Sequence, residues 1–271
     1  MNKHDTTLRY LVKSLSANYP LLKGLIIRDV KSRYNGSYMG VLWSIITPIV
    51  MLAIYTFVFS FVFKAKWGVD SGSKTEFALV LFAGMIIFNL FSECIARSTS
   101  LILQNANYVK KVVFPLEILV LVCLGSALFN FIVSFSVWIT AYTILYGFPP
   151  LTFLLFPVIL LPFMFFISGV SWLLSALSVF VRDITQFINI IITVLMFMSP
   201  VFYPVTALPE KYRSYLFINP LTYFVETFRG LIFFGHGIDT YYPICVIGSL
   251  IMMWAGFYFF QKTRKGFADV I

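Results

Sequence analysis

Charge is what this sequence has least of: Asp, Glu, Lys and Arg make up 11% of its 271 residues, against 60% hydrophobic residues. A soluble globular domain carries about 25% charged residues, so a water-soluble fold is excluded. No stretch of soluble composition is long enough to form a separate domain. Cysteine is equally scarce. Cys94, Cys123 and Cys245 lie inside apolar segments with no paired spacing, which excludes a disulfide framework or a zinc finger and makes them small buried hydrophobes. The two histidines, His4 and His236, are too far apart in sequence to argue for a metal site. The first 38 residues lack the basic, apolar and small-residue succession of a cleaved signal, so the N-terminus is expected to be retained.

A nucleotide site is also missing. The stretch GVDSGSKT, Gly68 to Thr75, imitates a phosphate-binding loop, but three residues rather than four separate its glycines and Ser73 intervenes before Lys74. Acid, base and nucleophile side chains form no cluster: Asp70, Glu76, Glu210, Glu226 and Asp239 show no paired motif. The chain is therefore expected to catalyse nothing and to bind no cofactor or metal.

Long apolar runs fill most of the chain. A hydrocarbon core of roughly 30 Å needs about 20 helical residues, and six segments are expected to cross it, at about 40–63, 77–96, 115–146, 151–180, 184–204 and 242–260. The fold class is thus an all-α membrane protein. Lys and Arg concentrate before the first span, at 97–111, at Arg182 and after the last span. Both termini are therefore expected in the cytoplasm. The same distribution accounts for the net charge of +9 without invoking nucleic acid.

Two segments are not simple spans. From Tyr19 to Tyr34 the positions Tyr19, Leu22, Ile26, Val30 and Tyr34 recur at helical spacing with Arg28 and Lys31 opposite, which predicts an amphipathic helix in the membrane interface. Arg33 falls within its apolar stripe and is expected to snorkel to the headgroups. Between Met198 and Gly235, Pro200, Pro204, Pro209 and Pro220 interrupt an aromatic-rich run, predicting short helices that cap the exterior side.

Polar residues inside the spans mark faces. Asn89, Glu93 and Arg97 share one face of the second span. A Glu93–Arg97 ion pair and a polar cavity entrance both fit them. Ser126, Asn130 and Ser134 form a stripe on the third span, and Ser168, Ser171, Ser175 and Ser178 a packing face on the fourth. Ser44, Thr47, Met51, Tyr55 and Phe59 align on the first span. Gln186, Asn189 and Thr193 align on the fifth, followed by Phe197, Phe202 and Tyr203.

Three blocks, IRDVKSRYNGSYMGVLW (27–43), NANYVKKVVFPLEIL (105–119) and MSPVFYPVTALPEKYRSYLFINPLTYFVETFRG (198–230), resemble the signatures of membrane subunits of ATP-binding-cassette exporters. The chain is most similar to the permeases for O-antigen, capsule and teichoic acid. The resemblance implies a single permease domain over 1–271 in a bacterial inner membrane, working as a homodimer. Two nucleotide-binding subunits would hold ATP and magnesium, and a lipid-linked polysaccharide would be the cargo.

It further implies an interfacial helix over 19–34, bearing Arg28, Lys31 and Arg33, and a cytoplasmic coupling segment over 98–114. Gln104, Asn107, Tyr108, Lys110 and Lys111 would meet the ATPase there, with Arg182 and Asp183 as a second contact. Exterior gate helices would span 205–240 with Tyr212, Tyr215, Tyr223, Phe224 and Phe228. A glycan conduit should mix hydrogen-bonding side chains with rings, so the stripes of the first and fifth spans are expected to line it, meeting across the dimer axis. The alternatives are a related exporter of a drug or small lipid, and an integral-membrane glycan or acyl transferase.

Overall fold

In a computed structural model of the chain, residues 7–62, 67, 74–110 and 114–271 are described. All their regular structure is helical. A short helix α1 (Leu8–Ala17), capped by the Thr7 hydroxyl, leads into α2 (Tyr19–Arg33). A 3₁₀ turn at Gly40–Leu42 opens α3 (Trp43–Tyr55), which carries Pro48 and runs on through a π-helical stretch, Thr56–Val62. Then come α4 (Lys74–Gln104), the one-turn α5 (Ala106–Val109) and α6 (Ile118–Tyr146). The chain continues through α7 (Phe156–Phe180), α8 (Ile184–Met198), α9 (Glu210–Leu216), α10 (Pro220–Arg229), α11 (Tyr242–Thr263) and α12 (Phe267–Val270).

Among the described residues, five helical stretches are long and apolar enough to cross a bilayer: Gly40–Phe59, Thr75–Gln104, Ile118–Tyr146, Leu151–Phe180 and Tyr242–Val270. The expected fifth span is shorter than its sequence suggests. Helix α8 has 15 residues, about 22 Å at the α-helical rise, because the chain leaves the helix at Ser199 and enters the proline-rich segment.

α4 is the central post. Its side chains from Phe77 to Phe88 are buried on all sides, as an all-round apolar helix must be, and α3, α6, α7, α8 and α10 surround it. The Trp138 indole of α6 fastens to it by donating to the Leu79 carbonyl at 2.9 Å. The broken segment folds inward onto the same post. Helix α10, capped by the Asn219 side chain, buries Leu221, Phe224, Val225 and Phe228. Phe224 lies 4.6 Å from Phe163, and Phe228 about equally close to Phe131 and Phe135, at 6.0 and 5.9 Å.

α11 packs on α7 through two glycines. A β-carbon on Gly256 would lie 1.9 Å from the Gly169 carbonyl oxygen, so only hydrogen fits. The four α7 serines are buried, in keeping with a packing face. The first span is the opposite case: Val41, Leu42, Ile45, Ile49, Val50 and Ile54 are exposed in the single chain.

Candidate functional site

α3, α4, α6 and α8 border a half-open cavity of about 670 Å³. Each helix turns polar side chains toward it. Ser44 and Thr47 come from α3, Asn89, Ser92 and Glu93 from α4, Asn130 and Ser134 from α6, and Asn189 and Thr193 from α8. The stripes read on the first and fifth segments thus meet within one protomer. Gln186, at the start of α8, is exposed and outside this lining. The Ser44 and Thr193 hydroxyls donate back to the Val41 and Asn189 carbonyls at 2.7 and 3.1 Å, which leaves their oxygens free to accept.

Beyond the cavity the rings form a cluster. Phe59 stacks on Phe77 at 5.3 Å and lies 6.4 Å from Phe202, which lies 5.9 Å from Phe197. Tyr55 lies 6.3 Å from Phe82, and the Tyr203 hydroxyl donates to the Phe197 carbonyl at 2.9 Å.

At Glu93 the cavity touches a four-charge network. Arg97 donates to both oxygens of Asp29 at 2.9 Å and lies 3.7 Å from Glu93, so its main partner is Asp29 on α2 rather than its neighbour one turn back. Arg33 pairs with Glu93 and, at 3.5 Å, with Asp29. It therefore turns toward protein; the snorkelling expected of it does not occur, because two carboxylates lie within reach. Asn130 donates to Glu93 at 2.9 Å, and Ser126 donates to Asp29. Burial works against the Asp29 carboxylate, but the Ser126 hydrogen bond and the charges of Arg97 and Arg33 more than offset it and hold the carboxyl below its ordinary value. Leu22, Leu25 and Ile26 complete the docking of α2 by packing toward α6.

The segment after α4 is held from two sides. Arg28 donates to the Tyr108 hydroxyl at 2.9 Å, and the Tyr108 ring stacks on Phe114 at 4.3 Å. Arg264, after α11, donates to the Phe114 carbonyl and to the fully buried Glu117, both at 2.7 Å. Ser14 of α1 takes the other Glu117 oxygen at 3.0 Å. Both ends of the chain thus meet at one carboxylate. Gln104, Asn107 and Lys110 are exposed on this segment, as are Lys31 on α2 and Arg182 and Asp183 between α7 and α8. Lys111 lies outside the described residues, as does Asp70.

Of the exterior aromatic set, Tyr212 and Tyr215 are exposed and 6.5 Å apart. Tyr223 is half-buried, while Phe224 and Phe228 belong to the core already described. Sequence reasoning missed the residue that fastens this segment. Arg229 is buried and donates to the carbonyls of Val80 (2.9 Å), Val201 (2.6 Å) and Pro200, and its guanidinium lies 4.4 Å from the Trp67 ring centre. A lone arginine closing an aromatic helix was the available signal.

A helical bundle with membrane-length apolar helices and a polar cavity between them narrows the class, and comparison with known families decides it. A family model described as ABC-2 type transporter matches residues 20–233, most of the chain. The chain belongs to the ABC-2 type transporter family. Similar proteins include an O-antigen export system permease protein RfbA of Myxococcus xanthus, 26% identical over 265 residues, 96% of this chain and 99% of the relative. A protein of the same name from Klebsiella pneumoniae is 28% identical over 255 residues, covering 93% and 95%. The polysialic acid transport protein KpsM of Escherichia coli is 24% identical over 222 residues, covering 79% and 82%. As an ABC-2 family member the chain is a multi-pass transporter subunit rather than an enzyme.

Proposed function

We propose that this chain is the channel-forming subunit of an ATP-driven exporter that moves a lipid-linked polysaccharide, of the O-antigen kind, from the cytoplasmic to the exterior face of the inner membrane. The observation that carries the reading is the cavity walled by amides and hydroxyls beside a cluster of rings. A glycan needs both, partners for its hydroxyls and flat apolar faces for its C–H surfaces. The relatives named for O-antigen export and for polysialic acid transport support a polysaccharide cargo.

In this reading α8 with its extension to Pro204 makes a sixth crossing, both termini are cytoplasmic, and 205–240 is the exterior gate of one permease domain. A second copy pairs along the exposed first span and α8. Two ATPase subunits carrying ATP and magnesium dock on the segment bearing Gln104, Asn107, Tyr108, Lys110 and Lys111, with Arg182 and Asp183 as a second contact. Tyr55, Phe59, Phe197, Phe202 and Tyr203 extend the conduit toward the exterior, and Gln186, at the start of α8, lies at its cytoplasmic mouth.

The test is reconstitution of the chain with its ATPase partner in proteoliposomes supplied with a lipid-linked glycan. ATP-dependent appearance of glycan on the opposite face is expected, and Tyr55→Ala with Phe59→Ala should slow it. A chain that hydrolyses ATP alone would sink the reading.

A further inference from the structure

We infer that the cavity between α3, α4, α6 and α8 is built for uncharged sugar units and discriminates against polyanionic glycans. The inference rests on the export reading and adds the charge class of the cargo. The polar groups facing the cavity are the amides of Asn89, Asn130 and Asn189 and hydroxyls such as those of Thr47 and Thr193, with one charge, the Glu93 carboxylate. Among the described residues that line it, none is Lys, Arg or His.

The nearest cations are already committed. Arg97 spends two hydrogen bonds on Asp29 and faces Glu93, and Arg33 pairs with the same two carboxylates. Two positive and two negative side chains close on each other, and no surplus positive charge is left to meet a sugar carboxylate.

A carboxylate drawn into a passage of low dielectric needs a counter-charge, which is why anion pores carry rings of Arg or Lys. Here it would find no cation free to serve, since Arg33 and Arg97 are matched by Glu93 and Asp29. A neutral sugar faces no such cost, since an Asn amide both donates and accepts and can exchange partners with each passing hydroxyl. The claim concerns the sugar units, not the lipid that carries them.

The experiment supplies the reconstituted chain and its ATPase partner with two lipid-linked oligosaccharides of equal length, one of N-acetylglucosamine units and one of sialic acid units. The neutral glycan is expected to move at least about tenfold faster, the ratio set by leaving the carboxylates unpaired. Asn189→Lys, at an exposed position on the wall, should raise transport of the acidic glycan, as should Glu93→Gln, which leaves Arg33 and Arg97 with a single carboxylate between them.

A second arm needs no transport: soluble neutral and sialic acid oligomers are titrated against the detergent-solubilised chain. The readout is the fluorescence lost in Trp43→Phe, because Trp43 lines the cavity. Equal transport of the two glycans, or equal binding, overturns the charge rule and leaves the export reading intact. Selective binding of the neutral oligomer with no transport of either glycan keeps the charge rule and defeats the export reading.

Discussion

The guanidinium of Arg229 lies against the bare backbone of Gly84: a β-carbon at Gly84 would sit 2.2 Å from Nη2. The glycine makes room for a buried cation that ties α10 to the Val80 carbonyl of α4 and to the Pro200 and Val201 carbonyls of the proline-rich turn. Gly84→Ala should push the guanidinium out and leave the cation and the Pro200 and Val201 carbonyls without partners, costing about 3–5 kcal/mol. Arg229→Lys should not restore stability, because an ammonium lacks the planar fork. Thermal unfolding of the detergent-solubilised chain reads both; an unchanged midpoint for Gly84→Ala would mean that Arg229 fastens nothing.

Asp29 is the hinge pin of the charge network, since it bonds to Arg97 of α4 and to Ser126 of α6 at once. Asp29→Asn keeps the shape but removes the charge facing Arg97 and Arg33, and should loosen α2 by about 1–3 kcal/mol. The pH dependence follows from the direction of its shift. A carboxyl held below its ordinary value of 3.8 contributes fully above that pH and loses its contribution as the pH falls further. Proteolysis within residues 19–34 should be flat from about pH 8 to 5 and rise below about pH 4. A rise beginning near neutrality would assign the transition to another group.

Much of this arrangement was readable from spacing. A helix of known period fixes which side chains share a face, so the stripes through Ser44, Asn89, Asn130 and Asn189 could be drawn before their meeting point was known. Partners are another matter. Asp29 and Arg97 are 68 positions apart, and Glu117 and Arg264 are 147, so no local period could have paired them. Nothing in the sequence around Glu117 points to its partners, and only the fold shows Arg264 and Ser14 arriving on its two oxygens. The aromatic helix after Pro220 misled in the other direction. Its rings fit a membrane boundary in composition, but Phe224 and Phe228 serve the core because Arg229 draws the helix inward.

The Glu117–Arg264 pair should bear on coupling rather than on cargo. Arg264 holds Phe114, Phe114 supports Tyr108, and Tyr108 sits in the short helix proposed to meet the ATPase. Arg264→Ala should leave a buried carboxylate without its cation and free the loop. Amide exchange across residues 104–117 should rise while that of 77–90 stays slow, and glycan moved per ATP hydrolysed should fall by about tenfold. Arg264→Lys, which keeps the charge but not the second hydrogen bond, should fall between. Export lost only in proportion to the amount of assembled complex would reduce the pair to a folding contact.

α11 offers a comparison in which one helix supplies its own control. At Gly256 an added methyl would strike the Gly169 carbonyl, whereas at Gly248, two turns earlier, a β-carbon meets nothing within 4 Å. Packing between membrane helices depends on such close backbone approach, because lipid offers no hydrophobic gain for association. Gly256→Ala should therefore separate α11 from α7 and cost about 1–3 kcal/mol, with Gly256→Val worse, while Gly248→Ala leaves the unfolding midpoint where it was. The separation should reach Arg264 at the end of the same helix, so Gly256→Ala should also raise amide exchange across residues 104–117. Equal midpoints for the two alanine variants would show that α7 and α11 are held together by something other than their glycines.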